Sequence, residues 1–529
     1  MNEQSCIREG KCVLGIEFGS TRIKAVLVDM QGQVVAVGGH TWSDRLENGI
    51  WSYSLEAVHD GLRACYADLK QEVRKKYGIT LTQLQGMGVS AMMHGYLAFD
   101  RDMNLLTPFR TWRNTITGQA ASELTELFSF NIPQRWSIAH LHQAVLNQEA
   151  HVPQIAGITT LAGYVHRLLT GENVLGVGDA AGVFPVDSSV MDYHADMLAR
   201  YDQLVADRHF PWHLRELLPG ILRAGDSAGS LTQEGALFLD PEGDLCPGVT
   251  FCPPEGDAGT GMVATNSVLK KTGNVSAGTS VFAMIVLEKT LERLHTEIDM
   301  VTTPDGLPVA MVHCNTCTSD LNAWVGLFHD FACAIGNQIS MDELYSTLFN
   351  AALQGDGDTG RLTAFNYYSG EPVTGTDCGV PLFARAPDAK MSLSNFMRTH
   401  IYASLATLSL GMKILTEQEN VSIDCIYAHG GLFRTPVVGQ SILAAALRTP
   451  VTVMKTATEG GAWGMALLAL YQVAGKGKTL PQWLQEDIFA SVPSETLEPR
   501  NEDVTGFQAY LRRYSGLLNA EKDAAQALL

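Results

Sequence analysis

The chain is 529 residues long and 46% hydrophobic, with 37 basic and 56 acidic residues and a formal net charge of −19. That length exceeds what one hydrophobic core serves, so two domains and a tail are expected. A charge this negative repels nucleic acid and anionic membrane at long range, and neither is expected as a partner.

Met1–Lys11 has no apolar run, and the longest uncharged apolar stretch, near 460–475, is broken up by Gly and Ala. It falls short of the ~18–20 residues of a membrane span, so a cytoplasmic chain without a signal peptide is expected. Ten scattered cysteines fit reduced thiols better than a disulfide framework.

Residues 12–40 read as a three-strand meander: Cys12–Phe18, Ile23–Asp29 and Gln33–Val37. Its first turn, Gly19-Ser20-Thr21, has the size of a phosphate loop, with Glu17 at the strand end and Lys24 in the next strand. A triphosphate needs backbone amides, hydroxyls and a cation, and its Mg²⁺ needs oxygen ligands. The same residues also spell an ordinary hairpin with a Gly turn.

A helix is expected over Leu55–Lys76, with Ala57, Val58, Leu62, Cys65 and Leu69 near one face, followed by a short strand, Gln85–Ser90. That strand runs into Ala91-Met92-Met93-His94-Gly95. His94 reads either as a ligand-binding residue or as a core histidine, and Trp112-Arg113-Asn114 as a binding segment or an exposed loop. Helices are expected at 117–128 and 137–149, and residues 159–170 run into a Thr-Gly stop. Strand signals return at 249–252, just before Pro254-Glu255-Gly256-Asp257-Ala258-Gly259. A carboxylate in a Gly-rich bend can approach a substrate hydroxyl closely. Asp257 is the candidate general base, Glu255 competes with it, and Asp also favours such turns for local hydrogen bonding alone.

A second strand–loop–strand, Asn274–Leu287, begins near Lys270 and carries Gly278-Thr279-Ser280 at its turn. The pair suggests a duplicated domain with a nucleotide between the copies and a boundary near 266. Cys314 and Cys317 form a lone Cys-x-x-Cys with no second pair to complete a zinc site, and two packed thiols are expected. After a strand at 423–429 comes Gly430-Gly431-Leu432-Phe433-Arg434-Thr435-Pro436, where Thr435 as N-cap and Pro436 as first helical residue predict a helix to Leu447. A strand, 450–454, then leads through Thr458-Glu459 to a small-residue helix, 460–473. Residues beyond 476 read as a peripheral tail.

With these motifs in order from about 12 to 475, the chain resembles the FGGY carbohydrate kinases of the actin/hexokinase superfamily, in their xylulokinase-like branch. Gly15–Asp29 resembles the first phosphate motif, Met93-His94-Gly95 the sugar segment, and Trp112-Arg113-Asn114 a Trp-Asn-Asp-like stretch. Thr170-Gly171-Glu172 with Gly178-Asp179-Ala180-Ala181-Gly182 resembles a further run of that branch. Gly256-Asp257 matches the catalytic-Asp segment, Ser276–Ser280 the second phosphate motif, and Tyr368-Ser369-Gly370-Glu371 a turn of the C-terminal domain. Gly430–Thr435 with Gln440 resembles the adenosine motif. The chain departs from the family at Glu17 (usually Asp), Asn114 (Asp), Ile116 (Arg) and Leu432 (Gly).

The resemblance implies an α/β fold of two RNase H-like domains, each a five-stranded mixed sheet flanked by helices, with a catalytic cleft between them. The domains would be 12–266 for sugar and 267–475 for ATP, with 476–529 as the tail. It implies ATP-dependent phosphorylation of a hydroxyl on a small keto-sugar, a xylulose-like pentulose being favoured. Asp257 would be the base. Met93, His94, Gly95, Trp112, Asn114 and Asp257 would contact sugar, and Glu17 and Asp257 would lie near Mg²⁺. Gly19, Ser20, Thr21, Lys24, Gly278, Thr279, Ser280, Gly430, Gly431 and Arg434 would hold ATP. A kinase for another ketose or polyol, a non-catalytic sugar- and nucleotide-binding regulator, and a chaperone-like ATPase are the alternatives; a homodimer is left open.

Overall fold

The computed structural model describes residues 3–454 and 460–529. The chain forms two units: 1–268, 300–309 and 456–491 make the first, and 269–299, 310–455 and 492–529 the second. The main crossing, between Val268 and Leu269, lies close to the expected 266. Thr458 and Glu459 of the expected helix entry lie outside the described residues.

The first unit is built on a six-stranded mixed sheet. Cys12–Phe18 pairs antiparallel with Arg22–Asp29, which pairs with Val34–Thr41. On its other side Cys12–Phe18 runs parallel to Gly86–Ala91, and that strand runs parallel to Thr250–Phe251 and Glu255–Gly256. The first strand is apolar almost throughout because both its faces are covered. On one face lies the helix Leu55–Tyr77, close to the expected span. Ser54 accepts from Ala57 N at its start, and Gly78 ends it in the left-handed conformation. Val58, Leu62, Cys65 and Leu69 face the core.

The other face is covered by the helix Gly460–Ala474. By packing this helix belongs to the first unit, whereas the expected boundaries placed it in the second domain. The reason is a backbone-to-backbone approach: a Cβ on Gly15 would lie 2.3 Å from Ala462 O and from Ala466 N. Only glycine in the strand and small residues in the helix permit it.

A seven-stranded sheet runs in the order Ile298–Thr302, Pro308–Cys314, Val281–Val286, Thr272–Ala277, Cys425–His429, Val451–Met454, Ser494–Leu497; residues 300–302 and 308–309 fall in the range of the first unit and the rest in that of the second. Both sheets therefore exceed the expected five strands. Ser494–Leu497 belongs to the segment read as a peripheral tail, and it adds antiparallel to Val451–Met454. The helix Asn501–Gly516 then buries Phe507, Tyr510, Leu511 and Tyr514. Its Asp503 pairs with the buried Arg398 at 2.7 Å, and the fully buried Glu521 accepts from Val380 N at 2.9 Å. Polar composition concealed this integration, since the charged groups are consumed in pairs.

Candidate active site

Phe18, Ala91 and Gly256 end three parallel neighbouring strands at one level. Ligands in α/β sheets gather at such carboxyl ends. Just beyond lie Gly19, Met92–Gly95 and Asp257. Asp257 opens the helix Asp257–Ala264, and its Oδ1 accepts a hydrogen bond from Met93 N at 3.1 Å. Asp257 is exposed. Burial pushes its pKa up, opposed by the N–H groups of Met93, Ala258 and Asp257 itself. Glu255 is instead 1% exposed and turned inward, with Oε1 accepting from Gly178 N at 3.2 Å. The two competing carboxylates are thus separated by accessibility.

Glu17 stands opposite Lys24 in one register and Ser90 in the other. Burial first, and then the Asp257 charge, raise its pKa to about 7, while Lys24 and the Ala462 N–H pull the other way. Gly461 leaves room for this carboxylate, because a Cβ there would lie 2.0 Å from Glu17 Oε1. The helix Asp257–Ala264 rests on Gly464, whose Cβ would sit 2.0 Å from Thr260 O. Thr260 Oγ1 lies 3.3 Å from Ser90 Oγ. Sequence reasoning missed Ser90, Thr260, Gly461 and Gly464, whose only signal was the run of small residues.

A second carboxylate pair lies beneath. Asp179 Oδ2 accepts from Thr160 Oγ1 at 2.6 Å, and Asp179 and Glu255 are both inaccessible. Burial, then the Asp179 charge, lift Glu255 to about 8; burial and the Asp257 charge lift Asp179 to about 7. Native protein therefore holds protons that the unfolded chain has released. The stability from these groups is complete below their ordinary pKa values, near 4, and is lost as pH rises through 7–8. Glu255→Gln is expected to lessen that alkaline loss. Urea midpoints at pH 5.5 and 8.5 measure it, and an equal fall in both proteins would contradict the assignment.

His94 adopts a left-handed backbone, φ 72°, followed by Gly95 at φ 92°. A non-glycine residue held there marks local strain, often at functional positions. Its ring is buried, with Nδ1 3.3 Å from Gly182 O, and it stacks on Trp136 at 6.3 Å between centroids. Gly95 has no alternative, since a Cβ would meet Phe109 Cε2 at 2.8 Å.

Trp112 is 39% exposed, whereas Asn114 is buried and spent on backbone. Asn114 Oδ1 accepts from Trp51 N at 2.8 Å, and its Nδ2 donates to Trp51 O and Thr111 O at 2.8 and 3.0 Å. Arg113 lies 3.9 Å over the Trp51 ring and pairs with Asp44 at 2.6 Å. Asn114 and Arg113 thus anchor the loop that presents Trp112.

In the Gly19–Thr21 turn, Gly19 N donates to Arg22 O at 3.0 Å, so this amide closes the turn. Trp42 Nε1 donates to Gly19 O at 2.7 Å and Tyr53 OH to Ser20 O at 2.6 Å, from rings stacked 4.1 Å apart. With its carbonyls turned inward, the turn presents the half-buried Ser20 and exposed Thr21 outward.

In the second unit, Gly278, Thr279, Gly430, Gly431 and Arg434 are exposed and Ser280 is half-buried. Parallel pairing of Ser276 with His429 sets the two glycine loops side by side. They touch so closely that a Cβ on Gly430 would lie 2.3 Å from Ala277 O. Gly430, at φ 109°, also needs glycine for its backbone. Leu432, in place of a third glycine, is fully buried and Gln440 donates to Val451 O and Glu495 O at 2.8 Å. The following helix is Val438–Leu447, so Thr435 is not its N-cap nor Pro436 its first residue. Val437, at φ 72° and ψ −43°, intervenes in a γ-turn closed by Val438 N to Pro436 O at 2.9 Å. Cys314 and Cys317 are both free and buried. Burial pushes both thiols up, as expected of packed rather than redox-active cysteines.

No helix among the described residues is long and apolar enough to cross a membrane. Comparison with known proteins gives a consistent result. A xylulose kinase of Klebsiella pneumoniae is 24% identical over 286 residues, 49% of this chain and 52% of the relative. The L-fuculokinase of Escherichia coli (strain K12) is 24% identical over 240 residues, 43% of this chain and 47% of the relative. This chain thus matches about half the length of these curated relatives. A ligand-bound xylulose kinase from Lactobacillus acidophilus superposes with a TM-score of 0.79 at 16% identity, covering 98% of this chain and all of that one, which is a likeness of fold. Residues 12–239 match the N-terminal domain of the FGGY family of carbohydrate kinases and residues 273–473 its C-terminal domain. The chain belongs to the FGGY family of carbohydrate kinases, with the two-domain fold of that family.

Proposed function

We propose that this protein is an ATP-dependent kinase that phosphorylates a hydroxyl of a small keto-sugar, a xylulose-like pentulose being favoured. The observation that carries the reading is the Asp257 carboxylate, open to solvent at the ends of three parallel strands and aimed by the Met93 N–H. The names of the two relatives, xylulose kinase and L-fuculokinase, support a ketose as substrate.

In this reading the sugar lies against Met93, His94, Gly95 and Trp112, with Asn114 positioning the last. In the second unit Gly278, Thr279, Ser280, Gly430, Gly431 and Arg434 take ATP, and in the first Gly19, Ser20, Thr21 and Lys24 are the phosphate-binding residues. Asp257 takes the proton of the attacking hydroxyl, whose oxygen forms the new bond to the γ-phosphorus. The bond from that phosphorus to the β–γ bridging oxygen breaks, and ADP leaves with its electron pair. Glu17 and Asp257 suit Mg²⁺: both are oxygen donors, and their like charges raise Glu17, a strain that a divalent cation relieves. Bound with ATP, Mg²⁺ offsets negative charge on the phosphates.

The test is ADP release with Mg²⁺ and ATP over a panel of ketoses and polyols. A ketose should give the highest kcat/KM. Tight ketose and ATP binding without ADP release from any of them would sink the kinase reading.

A further inference from the structure

The turn Gly278–Ser280 is held from behind by a loop that no step above uses. Thr318 donates to Gly278 O twice, from N at 3.2 Å and from Oγ1 at 2.8 Å, and Cys317 N donates to Thr279 O at 2.7 Å. In a planar trans peptide the C=O and the following N–H point in opposite directions. Drawing the carbonyls of Gly278 and Thr279 toward this loop therefore turns the N–H groups of Thr279 and Ser280 the other way. Two successive amides so directed offer a pair of donors to one anion. Thr318 precedes the helix Ser319–Ala334 as its N-cap, yet its side chain makes no cap bond there. The hydroxyl is spent on the Gly278 carbonyl instead.

The supporting loop is itself fixed by Glu371, which is fully buried. Its Oε2 accepts from Asn315 N at 3.0 Å and its Oε1 from Thr316 N at 2.8 Å. Asn315 Nδ2 returns a bond to Gly370 O at 2.7 Å, and Asn366 Nδ2 donates to Cys317 O at 2.8 Å. Burial raises the Glu371 pKa to about 7, opposed by the N–H groups of Asn315 and Thr316, and its two oxygens fix these consecutive amides of the loop. Every residue of this chain of contacts, from Glu371 through 315–318 to 278–280, lies in the second unit.

We propose that Glu371 and the loop Cys314–Thr318 form a splint that sets the amides of the Gly278–Ser280 turn for the phosphates of ATP, with Glu371 and Thr318 as positioning residues; this rests on the nucleotide reading above. The Cys-x-x-Cys thereby finds its place as the packed frame of that splint.

Calorimetry with a non-hydrolysable ATP analogue and Mg²⁺ tests it, alongside kinetics, on the wild type, Thr318→Val, Thr318→Ser and Glu371→Gln. Thr318→Val and Glu371→Gln should each weaken analogue binding and raise the KM for ATP by roughly tenfold. kcat at saturating ATP and the KM for sugar should stay within about twofold. Thr318→Ser, which keeps the hydroxyl, should restore affinity, an outcome that a role in folding alone would not produce. Unchanged affinity in Thr318→Val and Glu371→Gln, with the wild type binding the analogue, would overturn the splint alone. A wild type that does not bind it would overturn the nucleotide reading too.

Discussion

Asp257→Asn is expected to lower kcat by roughly 10²-fold or more while leaving sugar and ATP affinities within a few-fold. The substitution is nearly isosteric, and an asparagine Oδ1 can still accept from Met93 N, which now holds the carboxylate at 3.1 Å. The start of the helix Asp257–Ala264 is thereby kept, and only the proton acceptor is lost. Steady-state kinetics with separate calorimetry of each substrate distinguishes loss of chemistry from loss of binding. A near-normal kcat would remove Asp257 from the reaction. Glu255 could not simply replace it, since that carboxylate is 1% exposed and bonded inward to Gly178 N.

Lys70→Met should destabilise the first unit by about 3–5 kcal/mol, read as a fall in the urea midpoint. The Lys70 ammonium lies 2.7 Å from Asp240, 2.9 Å from Glu242 and 2.9 Å from Asp244, and its side chain is 8% exposed. These partners raise its pKa against the opposing effect of burial. Methionine preserves the stem and removes the charge, so the buried Asp240 keeps only the N–H bonds of Asp244 and Leu245 to its Oδ2; the more exposed Glu242 and Asp244 can turn to water. The lower end of the range is therefore expected. Asp240→Asn with Lys70→Met should recover part of the loss. A double variant as unstable as the single one would show that packing, not charge, sets the cost.

Local rules made most elements legible. The alternation and turn of 12–29, the capped helix after Ser54 and the repeat at 272–286 are all determined by near neighbours. What escaped depends on partners far along the chain. Nothing around Gly460 indicates that Gly15 has left space for its helix, and nothing in the polar segment after 476 indicates that Asp503 will meet Arg398. Around the candidate site, Asp257 and Glu17 could be singled out from the sequence, but not what packs around them. Asp179 and Thr160 are drawn beneath Asp257 by packing, and Asn114, a ligand by its residue type, is used up by the backbone of Trp51. At 435–437 the expected cap failed: neither Thr435 nor Pro436 caps or opens the helix, because the γ-turn at Val437 moves its start to Val438.

The helix Gly460–Ala474 has a consequence for biosynthesis. Chains usually fold domain by domain as they leave the ribosome, the N-terminal one first. Here the first sheet emerges early, yet the face around Gly15 and Gly88 waits for Ala462, Met465 and Ala466. Some 370 residues separate the end of the Gly86–Ala91 strand from that helix. The nascent first unit must therefore carry an uncovered apolar face through synthesis of nearly the whole second unit. That interval is when chaperone binding should be strongest and when truncated products should aggregate.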